Sequence, residues 1–237
     1  MQFRLKQHTD APKKYFLALF CLFFSGFIFA HNISESNAQF VEGVTGPAIA
    51  PFLYLGAKHM VTGYDHLLFL IGVIFFLYKL KDVVLYVTLF TIGHSITLLG
   101  GVLGEIQVNA YIIDAIIGFS IVYKAFENMG GFKKTFGFNP NTKAAVLIFG
   151  LFHGLGLATK LQEFSVSKDG LITNIISFNI GVEIGQFLAL AAILILLIRW
   201  RQSPNFQKYA FGANAILMTG GFLLAGYHLS GYFLPAS

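Results

Sequence analysis

From residue 59 onward the chain repeats one pattern: a long apolar run, then a short polar interval. The runs cover residues 59–78, 83–103, 108–127, 144–162, 171–199 and 209–231. Each is near or above the roughly 20 residues a helix needs to cross the hydrocarbon core of a bilayer. The intervals leave no room for a soluble domain. The pattern predicts an all-α integral membrane protein, a bundle of six transmembrane helices over 59–231 with an extracytoplasmic tail at 232–237. Residues 46–57, GPAIAPFLYLGA, are apolar but short and punctuated by Pro and Gly. They are expected to form a re-entrant or interfacial lead-in within an extracytoplasmic segment, 31–58, that the bundle must shield.

The first thirty residues have a different grammar. Arg4, Lys6, Lys13 and Lys14 precede YFLALFCLFFSGFIFA, and a polar HNISESNAQ follows. A basic head, an apolar stretch and a small residue at its end form a secretory signal pattern, with Ala30 at the expected cut. An uncleaved anchor helix is the alternative, and it raises the number of spans to seven. Cleavage there makes His31 the terminal residue, whose amine and imidazole together form a chelate.

Composition narrows the class further. Hydrophobic residues make up 56% and charged residues 11% of the 237, against roughly a quarter charged in a soluble protein. The single cysteine, Cys21, excludes a disulfide framework and a thiolate metal site. The basic residues are unevenly placed: Lys79, Lys81, Lys133, Lys134, Lys143, Arg199, Arg201 and Lys208 border one side of the spans. Lys58, Lys160 and Lys168 border the other, with Glu42, Glu105, Glu163 and Asp169 nearby. The positive-inside rule makes the first side cytoplasmic, with both mature termini outside a cytoplasmic (inner) membrane. No nucleotide-binding loop is present, so ATP coupling is not expected within this chain, and neither is a nucleic-acid partner.

Polar residues inside the runs carry the chemistry. An ionisable side chain at mid-bilayer costs at least about 2.5 kcal/mol on insertion scales, so it normally faces protein and has a task. His59, Asp65, His66, His94, Asp114, His153 and Glu183 are of this kind, joined by the uncharged Asn179 and Gln186. In HMVTGYDH, residues 59–66, the two histidines are seven apart, which on one helix returns them to the same face. Gly63 between them permits close approach of a backbone or a ligand. Asp65 can ligate a cation or orient a neighbouring imidazole. A polar cap at a helix mouth is the plainer reading of the same residues.

His94 and His153 share a context: FTIGHS at 90–95 and FGLFHG at 149–154 each place Phe four residues before His. Gly93 and Gly154 beside them suit close helix packing. Their distance from the span edges puts both near the bilayer centre, as interhelical hydrogen-bonding glue or as ligands. Asn179, Glu183 and Gln186 recur at helical spacing and form a polar stripe. The expected arrangement is therefore an outer entrance at His59, Asp65 and His66, and a central site at His94, His153 and Glu183. Imidazole and carboxylate without thiolate suit nickel, copper, zinc or iron, and not the all-oxygen shells of magnesium and calcium.

The motif H59-M-V-T-G63-Y-D65-H66 resembles the signature of the HupE/UreJ family of membrane proteins. The likeness continues through F90-T-I-G-H94-S95, F149-G-L-F-H153-G154-L-G156 and N179-I-G181-V-E183-I-G-Q186. Met60 stands where the family often has proline. The resemblance implies a nickel, or cobalt, permease linked to hydrogenase or urease maturation. It assigns His59, Asp65 and His66 to metal recognition, and His94, His153 and Glu183 to the later polar positions of the bundle. A metallochaperone or a maturation factor is the partner it implies, beside the lipid bilayer and the ion.

These readings converge on transport of a divalent transition-metal ion, nickel first, with no permanently bound cofactor and no catalysis. The competing expectations are a membrane metal-binding protein that does not transport (a copper or zinc chaperone, a sensor or an intramembrane metalloenzyme) and a scaffold whose polar residues only lock the bundle.

Overall fold

The computed structural model describes residues 43–162 and 168–234. The signal-like start, Cys21, His31, Glu42 and Glu163 lie outside the described residues. What is described is helical throughout: α1 Ile49–Thr62, α2 Tyr64–Ile74, α3 Leu80–Leu103, α4 Ala110–Asn128, α5 Gly131–Phe136, α6 Thr142–Gln162, α7 Leu171–Arg201 and α8 Phe206–Phe233. Four of these, α3, α6, α7 and α8, are long and apolar enough to cross a membrane. α4 is of similar length to α6 but carries Asp114, Lys124 and Glu127. The protein is an all-α, multi-pass helical bundle.

Small residues decide which helices pair, because only they let two backbones approach within a bilayer. A Cβ at Gly181 would stand 2.0 Å from the Leu53 carbonyl oxygen, and one at Gly185 2.5 Å from that of Ala57. These contacts advance together along both chains, so α1 and α7 run parallel. α3 and α6 are likewise parallel, with Gly150 against Phe90 and Gly154 against His94. α4 and α8 cross at Gly118 and Gly221 in the opposite sense.

The short α2 lies inside these pairs, packed on α1, α4, α7 and α8. Its residues His66, Leu68, Phe69, Leu70, Gly72, Val73 and Ile74 are all buried. A helix that is apolar all round is one buried all round, and α2 obeys that rule inside the protein.

Here the structure differs from the sequence expectation. The stretch expected as a lead-in is helical from Ile49 and continues through His59 to Thr62. The helix expected to run on from His59 is instead broken at Gly63, whose φ of −73° and ψ of 103° leave helical geometry. The Gly63 N–H closes α1 on the His59 carbonyl at 2.8 Å, and its own carbonyl opens α2 by accepting from Leu67 at 3.1 Å.

Both ends of this broken element are anchored to α7. At one end Asn174 accepts from the Ala48 N–H at 2.7 Å and donates to the Gly46 carbonyl at 3.1 Å. At the other, the Arg201 guanidinium donates to Leu77 at 2.9 Å, to Phe75 at 2.7 Å and to Ile74. These carbonyls lie at and just past the C-terminus of α2, where intrahelical donors run out. α1 and α2 together therefore run the length of α7, whose 31 residues extend about 46 Å at 1.5 Å per residue.

Candidate metal centre

The break at Gly63 puts HMVTGYDH partway along the bundle, and the motif meets the histidines of α3 and α6 there. His66 is the hub. Its ring centroid lies 5.0 Å from that of His59, 4.8 Å from His153 and 6.2 Å from His94. His66, His94 and His153 are buried, at 3%, 1% and 1% exposure. The expected pair of sites, an outer entrance and a separate centre, is thus a single cluster.

Each histidine arrives by a local cause. His59 ends α1 and His66 begins α2, so the two rings meet edge to face across the break and not down one helix face. Phe178 flanks His59 at 6.0 Å, and Phe69 and Phe90 wall His153 at 5.4 and 5.0 Å. His94 and His153 stand at one level because α3 and α6 are in parallel register. That register is held by the Gly154 approach to the His94 carbonyl and by the Thr97 hydroxyl donating to the Leu151 carbonyl at 2.7 Å.

The side-chain chemistry suits a cation. His66 Nδ1 donates to Asp65 Oδ1 at 3.0 Å, which selects the tautomer whose Nε2 carries the lone pair. Asp65 itself sits in the first turn of α2, where the helix dipole favours a negative charge. The Nε2 atoms of His59 and His66, and both ring nitrogens of His94 and His153, are buried with no hydrogen-bond partner among the described residues. Histidines that merely glued helices together would spend those nitrogens on interhelical hydrogen bonds. Asp65, His66 and His153 each offer one ligand atom, all within 4.8 Å of one another. Two nitrogens on opposite sides of a metal stand about 4.2 Å apart, twice a bond of about 2.1 Å. Ligand atoms that are not opposite one another come closer still, about 3.4 Å apart in a tetrahedral shell, so the cluster must tighten by about an ångström around an ion.

Asn179 and Gln186 support the centre without joining it. The Ser95 hydroxyl donates to Asn179 Oδ1 at 3.2 Å and the Thr91 hydroxyl to Gln186 Oε1 at 2.8 Å. These bonds fasten α7 to the turns of α3 on either side of His94. Glu183 does not join the cluster. It is exposed on α7, on the face that also carries Ile176, Ile180, Ile184 and Phe187. The polar stripe is not straight: at 3.6 residues per turn Glu183 lies about 40° round the helix from Asn179. That offset carries it past the edge of the buried face.

Gly63 is needed for its size as well as for the turn. A Cβ there would lie 2.9 Å from His66 Nδ1 and 3.1 Å from Asp65 Oδ1. Alanine tolerates this φ and ψ, so we predict that Gly63→Ala folds but displaces the Asp65–His66 pair. Metal affinity should fall about tenfold, the scale of losing an orienting partner. Calorimetric titration checks this, and unchanged affinity refutes it.

Sequence reasoning passed over one further group. Asp114 was visible as an ionisable residue in an apolar run, yet its partners Lys160 and His228 were not recognised. The Lys160 ammonium meets both Asp114 oxygens, at 3.0 and 2.8 Å, and His228 Nδ1 lies 3.6 Å from Oδ2. An available signal was the spacing of Lys160, seven residues beyond His153 and so on the same face of α6.

A multi-pass helical membrane protein with a buried His/Asp/His cluster able to hold a metal ion is the class that fold and site define. The chain belongs to the HupE/UreJ family: the family model described as HupE / UreJ protein matches residues 18–236. No curated protein and no solved structure matches it.

Proposed function

We propose that the protein passes a divalent transition-metal ion, nickel first, across the cytoplasmic membrane. The observation that carries this reading is the cluster of His59, Asp65, His66, His94 and His153 around a helix broken in mid-bundle. Discontinuous helices at the midplane are where secondary transporters place their ion sites. In this reading the α1/α2 pair counts as one crossing, and with α3, α4, α6, α7 and α8 it makes six. The lysine-rich edges are cytoplasmic and the ends of α6 and α8 face outward. Asp65 supplies one negative charge and the imidazoles replace water around the ion. An inside-negative potential drives entry by about 2.3 kcal/mol per charge per 100 mV. Imidazole nitrogen suits nickel among other first-row divalent ions, and nickel, with cobalt next, is put first for the family's role.

One observation favours a second reading. The ligand groups sit at a single level and not in a file from mouth to centre, as a protein that holds its metal without passing it would arrange them. Flux separates the two. Purified protein reconstituted in liposomes is offered Ni²⁺, Co²⁺, Zn²⁺ and Cu²⁺ separately under an inside-negative potential. Ni²⁺ accumulation above that of empty liposomes is expected. Folded protein that binds metal but moves none leaves only the second reading standing.

A further inference from the structure

The Asp114–Lys160–His228 group has a geometry that bears on the path of the ion. Lys160 lies two turns along α6 from His153, toward the end where α6 finishes, a rise of about 10 Å. Gly156 lies between them, and Asp114 Oδ1 is 3.8 Å from where its Cβ would be. The Asp114 carboxylate thus stands about one turn from His153, with the Lys160 ammonium on it. The Asp114 and His228 side chains are 9% and 5% exposed, but that of Lys160 is 31% exposed. The carboxylate is fixed within the bundle, whereas the ammonium is on a flexible stem with a route outward.

We propose that Asp114 is a second cation station beside the histidine cluster, occupied by the chain's own Lys160 ammonium, which an incoming divalent ion displaces. The proposal rests on the transport reading above. Its chemistry is charge exchange. A carboxylate holding an ammonium is neutral, so replacing that ammonium by Na⁺ or K⁺ gains no charge. A divalent ion brings one charge more and gains attraction, which is largest where the dielectric is low. His228 stays beside the carboxylate, 3.6 Å from Oδ2, while its occupants change. Lys160 is then a tethered competitor that admits ions by charge before the imidazoles select them by ligand preference.

The test compares wild type, Lys160→Gln, Lys160→Arg, Asp114→Asn and His66→Ala in liposomes, reading the KM and maximal rate of Ni²⁺ uptake with and without excess Na⁺. Removing the tethered competitor should lower the KM of Lys160→Gln about tenfold and make its uptake sensitive to Na⁺, which wild type resists. Lys160→Arg should keep the wild-type resistance, and Asp114→Asn should raise KM. Wild-type KM and Na⁺ resistance in Lys160→Gln, with His66→Ala inactive, overturns the station and leaves the transport reading intact. Undiminished flux in His66→Ala overturns the histidine cluster as the path instead, and absence of flux in wild type overturns the transport reading. If Lys160→Gln fails to fold because Asp114 is left buried and unpaired, the double variant Lys160→Gln/Asp114→Asn replaces it. With the station removed altogether, that variant should show the raised KM of Asp114→Asn with no competition from Na⁺, and a wild-type KM overturns the proposal.

Discussion

Purified protein carrying His66→Ala should lose Ni²⁺ binding by at least about a hundredfold, and its flux in liposomes should vanish. The size of the effect follows from the position of the ring. His66 stands among the other members of the cluster: it donates to Asp65 at 3.0 Å and its ring lies beside those of His59, His94 and His153. Removing it deletes a ligand and also strips Asp65 of its donor. Loss of an orienting partner alone commonly costs 10–100-fold in metal affinity, so loss of ligand and partner together should reach the upper end or pass it. His94→Ala should cost less, because its ring is the farthest from His66 at 6.2 Å. Glu183→Gln is the informative companion: exposed on α7, it should bind and transport as wild type does. Wild-type affinity in His66→Ala, measured calorimetrically, would sink the centre, and a loss in Glu183→Gln would return that carboxylate to the ligand set.

The second large effect concerns one methyl group. Gly154→Ala should lower the thermal midpoint in detergent and abolish metal binding, while Gly212→Ala should do neither. A Cβ at Gly154 would fall 2.1 Å from the His94 carbonyl oxygen and 2.4 Å from Thr97 Oγ1. Neither atom is the far end of a flexible chain, so α3 and α6 must part by more than an ångström. Overpacking of this kind costs about 1–3 kcal/mol. Parting the helices also breaks the Thr97–Leu151 bond and carries His94 away from His153. At Gly212 nothing lies within 4 Å of the added carbon, and alanine is the better helix former there. Equal midpoints and equal metal binding for the two variants would mean that the glycine contact does not position the histidines.

Much of this was legible along the chain. The apolar runs required membrane-crossing helices because continuous apolar runs of about 20 residues match the length at which a helix crosses the bilayer with its backbone satisfied internally. The histidines and Asp65 stood out because an ionisable group in such a run needs a reason. The failures have one source, which is that a linear pattern reports burial without saying what does the burying. GPAIAPFLYLGA looked like an isolated short stretch, whereas it forms most of α1, which α2 continues beyond the break at Gly63. Asn179, Glu183 and Gln186 looked like one stripe because helical spacing was counted without knowing where α3 would pack. Lys160 looked like an ordinary loop-edge lysine because its partner Asp114 lies 46 residues away in sequence.

By itself the sequence determined the class of protein, the helix-forming runs and the identity of the ligand types, since hydropathy, length and side-chain chemistry are local properties. Only the tertiary structure decided that HMVTGYDH straddles a break and does not lie along one helix, that five of the six expected ligands meet at His66, and that Glu183 does not. Those outcomes depend on which glycines meet which backbones, and on a turn of ψ at Gly63 that the anchoring of α1 and α2 along α7 holds in place.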